Sequence, residues 1–269
     1  MPPMATPDYA RYTRLIVTRD GGVLTVTLNN PAKKNAVDAA MHAELAEIFH
    51  DIAKDEETRV VVLTGAGDAF CAGGDIGWMK AGLGARASGP DTGEAKRIVF
   101  GLLDLETPII AKVRGPAVGL GATLALFCDC VFAAETARFA DPHVRAGLVA
   151  GDGGAIIWPA LIGFARAKEF LMTGDMMSAK DAERVGLINH AVPEGELDAC
   201  VEAFAHKLAQ GPQQAIRYTK VSVNIALKEL AEKIFERAMA YEKQSFATAD
   251  HKEAVAAFLE KRAPKFTGR

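Results

Sequence analysis

Two kinds of apolar segment alternate along this chain, and that alternation limits the possible folds more than any other feature. Residues 15–17 and 23–28 switch between apolar and polar positions around Asp20-Gly21-Gly22. This reads as a β-hairpin, because glycine accepts positive φ in the turn. Met41, Leu45, Ile48, Phe49 and Ile52 then recur at helical spacing behind Asp38, a candidate N-cap, and residues 60–64 follow as a short buried strand. The pattern repeats with Ile98, Leu102 and Leu105 on one helical face, a strand over 109–113, a helix over 119–127 and a strand over 130–134. Strands separated by helices predict an α/β fold with a mainly parallel sheet covered on both faces. A last strand is expected over 187–192, after which 197–208 and 215–245 show only helical periodicity. The chain thus divides into a β-α-β core over 1–195 and a helical region over 196–269. Residues 81–95 mix glycine, proline and small residues without an apolar period and read as a loop.

Composition sets the outer limits. The chain has 269 residues, 49% of them hydrophobic and 24% charged, which excludes intrinsic disorder and fibrous classes. A formal net charge of −3 offers no overall field for nucleic acid or anionic lipid, so neither partner is expected. Cys71, Cys128, Cys130 and Cys200 form no CxxC pair and suggest neither a zinc site nor a disulfide framework. Residues 1–14 lack the apolar core of a signal peptide, and the longest uncharged stretch, 115–128, is too short for a bilayer span. A cytoplasmic location is expected, with no membrane partner and no metal.

Two glycine-rich corners lie between strand and helix, Phe70-Cys71-Ala72-Gly73-Gly74-Asp75-Ile76 and Gly115-Pro116-Ala117-Val118-Gly119-Leu120-Gly121-Ala122. Free N–H groups at helix starts and the close approach that glycine permits would let two such corners bracket one oxygen anion. Together with Asn30-Pro31-Ala32-Lys33-Lys34-Asn35-Ala36, Phe139-Ala140-Asp141-Pro142, Leu171-Met172-Thr173-Gly174, residues 182–187 and the tail 246–262, these corners resemble the crotonase (enoyl-CoA hydratase/isomerase) superfamily over nearly the whole chain. The resemblance implies a β-α-β spiral core, a helical C-terminal region that forms trimers or paired trimers (hexamers), and acyl-CoA thioester substrates. Coenzyme A then enters only as part of the substrate, with no separate cofactor. By the same resemblance, the thioester oxygen sits between the backbone N–H groups of Gly74 and Leu120. The CoA moiety lies along Lys33, Lys34, Ala36, Ala72, Asp75 and Ile76, with Phe258 and Lys261 near the adenine, contributed by a neighbouring subunit. Trp78 and Met79 line the acyl cavity, and Asp75 buttresses its own corner.

The resemblance also shows where this chain departs. Hydratases of the superfamily use two glutamates, and here those positions hold Thr123 and His143. Threonine has no useful pKa near neutrality, whereas histidine titrates there. A carboxylate appears at Asp152, in Gly151-Asp152-Gly153-Gly154, where isomerases, a dehalogenase and some hydrolases of the superfamily place their acid within a residue. Asp152 and His143 are therefore the expected proton-transfer residues, with Asp141 as an orienting or turn residue and Thr123 holding a water or substrate hydroxyl. Asp152 as a helix cap is the competing reading. The expected reaction is double-bond isomerisation, or a hydration or dehydration that does not use the two-glutamate route. Hydrolysis of a thioester or C–C bond and a non-catalytic acyl-CoA-binding subunit are the alternatives.

Overall fold

The computed structural model describes residues 7–75, 77–78 and 92–269. The hairpin forms as expected: β1 (Leu15–Asp20) pairs antiparallel with β2 (Val23–Leu28) through a turn in which Gly21 has φ 53°. Helix α1 (Ala39–Ala53) starts at Asp38, whose carboxylate accepts the Met41 N–H at 2.9 Å. The chain continues through β3 (Val60–Gly65), α2 (Thr92–Asp104), β4 (Ile109–Val113), β5 (Pro116–Val118), α3 (Leu120–Leu126), β6 (Cys130–Ala134) and β7 (Arg138–Ala140). It ends with α4 (Gly154–Thr173), β8 (Met177–Ser178), α5 (Ala179–Val185), β9 (His190–Val192), α6 (Leu197–Ala209), α7 (Gln213–Ser245) and α8 (Ala249–Leu259).

The main sheet has the order β1-β2-β3-β4-β6-β9, parallel from β2 onward. Side chains alternate across it, as the pleat requires. Val60, Val62, Ile110 and Phe132 pack beneath Leu197, Val201 and Ala205 of α6. Val61, Leu63, Ile109 and Ala111 face the larger core, which includes α1, α2, α3 and Phe235 of α7. This is the α/β fold with a helical C-terminal region that the alternation predicts. Among the described residues, no helix is long and apolar enough to cross a membrane.

The differences are local. Residues 92–95 open α2 instead of belonging to a loop, because Ala95 joins Ile98, Val99 and Leu102 on the buried stripe; 81–91 lie outside the described residues. The last strand is only His190–Val192, since Leu187 and Ile188 are buried in the turn after α5. A second sheet, β5-β7-β8, had no sequence signal, its strands having three residues or fewer. It nevertheless carries β5 and β7 directly into the two halves of the candidate site.

The two glycine corners are sewn together through backbone. Cys71 donates to Pro116 O at 3.0 Å and Val118 donates to Cys71 O at 2.9 Å. A Cβ on Gly121 would lie 2.5 Å from Cys71 O and 2.7 Å from Cys71 Cβ, so the start of α3 touches the first corner with no space for a methyl group. Alanine favours a helix interior over glycine by about 1 kcal/mol, but overpacking against backbone costs about 1–3 kcal/mol. Gly121→Ala is therefore expected to lower stability despite its better helix propensity, read as a lower urea midpoint at unchanged m-value.

Candidate active site

The first corner runs as an extended strand between two neighbours. Ala72 donates to Lys34 O at 2.9 Å, Val37 donates to Gly73 O at 2.8 Å, and Asp75 donates to Val37 O at 2.8 Å. Val37 thus takes the C=O of residue 73 and the N–H of residue 75, which is parallel pairing, and the N–H of Gly74 points to the other side. The loop that supplies these partners is anchored by Asn35, fully buried at φ 55°, whose side chain accepts from Asn30 N–H and donates to Ala66 O and Ala69 O. In the second corner, Gly119 at φ 54° caps α3 and donates to Ala140 O at 2.9 Å, leaving Leu120 as the first helical residue with its N–H free of the helix ladder. Neither the Gly74 nor the Leu120 N–H has a backbone acceptor among the described residues. The Leu120 side chain turns into the apolar core. A Cβ on Gly119 would sit 3.9 Å from Gly73 Cα and 3.7 Å from His143 Cε1, so the corners and the histidine meet at one place.

His143 opens a 3-10 turn, His143–Ala146, just after β7. Its Nδ1 is hydrogen-bonded to Asp141 Oδ1, and its Nε2 lies 3.6 Å from Asp152 Oδ2, which is proximity without a full hydrogen bond. Asp152 precedes Gly153, the N-cap of α4 at φ 127°, and the N–H of Gly154 favours its charged form. The backbone here is in contact on every side. A Cβ on Gly153 would meet Thr123 Cγ2 at 2.7 Å, and one on Gly154 would meet Asp141 Oδ2 at 1.9 Å. The turn is also clamped from behind: His251 of α8, itself fully buried, has its Nδ1 2.7 Å from Ala146 O.

A fourth titratable group joins the cluster from 90 residues further on. Glu242 of α7 is 3% exposed, and a Cβ on Gly151 would lie 2.6 Å from its Oε2. The signal for it was present in the sequence. Ala231, Phe235, Ala238, Met239 and Glu242 form the buried stripe of α7, so a glutamate occupies a core position. Thr123 Oγ1, Asp141 Oδ2, Asp152 Oδ1 and Glu242 Oε2 are all buried without a hydrogen-bond partner among the described residues.

Burial lowers the His143 imidazole, but the charges of Asp141 and Asp152, the Asp141 hydrogen bond and Glu242 outweigh it and push His143 well above its ordinary value. Burial raises Asp152, with His143 opposing and Asp141 adding. Burial likewise pushes Glu242 up from 4.5 to about 8, against His143 and with Asp152 and Asp141. The surroundings thus favour the protonated forms of both His143 and Glu242.

Lys33 Nζ is 2.6 Å from Asp75 Oδ2, and Asp75 also accepts the Trp78 N–H at 3.0 Å, so Asp75 does brace its own corner. Lys34 is exposed at φ 52°, next to buried Ala36. Phe258 is exposed on the last turn of α8, and Lys261 follows at φ 53°; neither is hydrogen-bonded or ion-paired to the 33–36 loop of the same chain. Ile76 and Met79 lie outside the described residues.

Groups whose folded pKa is raised stabilise the fold at low pH and lose that contribution as pH rises through the folded value. For Glu242 the window is 4.5 to about 8, and His143 acts in the same direction above 6.5. Stability is expected to fall between about pH 5 and about pH 8, and Glu242→Gln is expected to flatten that slope, measured as urea midpoints across the range.

The family profile for enoyl-CoA hydratase/isomerase matches residues 18–269. The 1,2-epoxyphenylacetyl-CoA isomerase of Escherichia coli is 35% identical over 92% of this chain and 96% of its own. Among solved structures, an enoyl-CoA hydratase/isomerase from Mycobacterium paratuberculosis superposes with a TM-score of 0.87 at 40% identity, covering 92% of this chain and 99% of its own. A β-diketone hydrolase from Anabaena, bound to (S)-3-oxocyclohexyl acetic acid, superposes with a TM-score of 0.82 at 31% identity, covering 90% and 98%. The chain is an acyl-CoA enzyme of the enoyl-CoA hydratase/isomerase family, the crotonase superfamily.

Proposed function

We propose that this enzyme holds an acyl-CoA thioester oxygen between the N–H groups of Gly74 and Leu120 and moves one proton along the acyl chain with Asp152, aided by His143. The observation that carries this reading is the convergence of both glycine corners on the His143–Asp152 pair, with a Cβ on Gly119 only 3.7 Å from His143 Cε1. Donors fixed by backbone strengthen their hold as the oxygen turns negative and need no reorganisation when it does. In isomerisation, the Asp152 carboxylate takes a proton from the carbon next to the thioester carbonyl, giving a dienolate whose charge rests on that oxygen. The same carboxyl then returns the proton two carbons further on, moving the double bond. A raised Asp152 is a stronger base for this step. The His143 imidazolium, oriented by Asp141, balances the charge beside it. Glu242, kept neutral, adds no third negative charge to those of Asp141 and Asp152. With Thr123 and His143 at the two family glutamate positions, hydration or dehydration would need a route through these groups instead.

In the same reading, Lys34, Ala36 and Ala72 line the CoA path. Lys33 contributes less to phosphate because Asp75 already neutralises it. Phe258 and Lys261 serve a neighbouring protomer of a trimer or hexamer, with 196–269 as the region of association. Phe164, Met172 and Tyr241, each more than half exposed, supply apolar surface for it.

Hydrolysis is the second reading, favoured by the Asp141–His143 hydrogen bond, which fixes the His143 ring beside Asp152, the carboxylate that would activate a water at a carbonyl, and by the resemblance to a β-diketone hydrolase. One panel separates these. Wild type, Asp152→Asn and His143→Gln are assayed for 3-enoyl-CoA isomerisation, crotonyl-CoA hydration, release of free CoA and cleavage of β-diketones. Isomerisation with a loss of about 100-fold or more in Asp152→Asn is the expected result. Free CoA or C–C cleavage products instead favour hydrolysis, and tight thioester binding with no turnover favours a non-catalytic subunit.

A further inference from the structure

A second histidine stands against the first glycine corner, and the proton transfer above does not use it. His42 sits on the core-facing side of α1 between Met41 and Leu45, and is 2% exposed. Its Nδ1 lies 2.6 Å from Glu94 Oε2, on the first turn of α2. On its other side, its ring centroid is 5.3 Å from that of Trp78. Trp78 in turn donates its N–H to Asp75, the residue after Gly74. Glu94, His42, Trp78 and Asp75 are therefore one connected wall ending at the first oxyanion donor.

A histidine on an apolar helix face is costly unless its nitrogens are engaged, and leucine or methionine would fill the same volume without that cost. Glu94 engages Nδ1 as a donor. Nε2 has no hydrogen-bond partner among the described residues; it accepts from a hydroxyl when neutral and donates to an oxo oxygen when protonated. Trp78 supplies an apolar surface beside it.

We infer that His42, oriented by Glu94 and flanked by Trp78, recognises an oxygen substituent on the acyl chain, so that the enzyme selects oxo- or hydroxyl-bearing acyl thioesters over plain alkenyl ones. This rests on the acyl-CoA reading above and adds the substrate class. The test uses matched pairs of enoyl-CoA thioesters of equal chain length, with and without a distal oxo or hydroxyl group. Wild type is expected to prefer the oxygenated member at least 10-fold in kcat/KM, mainly through KM. His42→Leu is expected to bring the ratio close to one, with Glu94→Gln in between. His42→Gln, which keeps a polar head, is the second variant should His42→Leu not fold. No preference in wild type, or a ratio that survives the substitution, overturns the inference. Absence of any turnover defeats the catalytic reading instead. The ratio of calorimetric Kd values for the same thioester pairs then supports or overturns the inference by the same criterion.

Discussion

The site depends on backbone packed against backbone. The pair of hydrogen bonds between Cys71 and residues 116 and 118 fixes the distance between the two corners, and glycine at 73, 119 and 121 permits that distance. A main-chain donor has no rotamer to lose and cannot swing away, so its aim is as stable as the fold. This is why Leu120 can occupy its position without harm to the donor. Its side chain is spent on the core while its N–H remains at the helix start.

Around these donors the protein accepts an electrostatic cost. Three carboxyl groups and one imidazole share a buried space, and Asp141 Oδ2, Asp152 Oδ1 and Glu242 Oε2 lack hydrogen-bond partners there among the described residues. Buried unpaired oxygens of this kind destabilise a fold by about 1–3 kcal/mol each. The cluster lowers that cost by holding protons: Glu242 stays neutral and His143 stays charged. The groups come from the residue after β7, the 3-10 turn that follows, the residue before the N-cap of α4 and the last turn of α7, so the helical C-terminal region reaches this buried cluster as well as completing the fold.

Much of this was legible in the sequence because it is local. The hairpin turn, the Asp38 cap, the period of α1 and the glycine corners each depend on neighbours within a few residues. The β5-β7-β8 sheet was not legible, since runs of two or three residues carry no period and pair only across the chain. His42 and Glu242 escaped for a related reason. Each is a polar residue on an apolar stripe, and its partners lie 52 residues away at Glu94 and some 90 residues away at Asp152. The sequence marks such a position as anomalous and leaves its partner unnamed. Asp152 and His143 were reachable only because the family resemblance had already placed them near one another.

The tight contacts of Gly153 and Gly154 with Thr123 and Asp141 have a further consequence. A longer side chain at 153 or 154 would displace Thr123 or Asp141, so side chains can change at the neighbouring positions only on a nearly fixed frame. Positions 123, 143, 152 and 242 behave like sockets. Whichever chemical heads are plugged into them, the backbone that carries them has little room to shift.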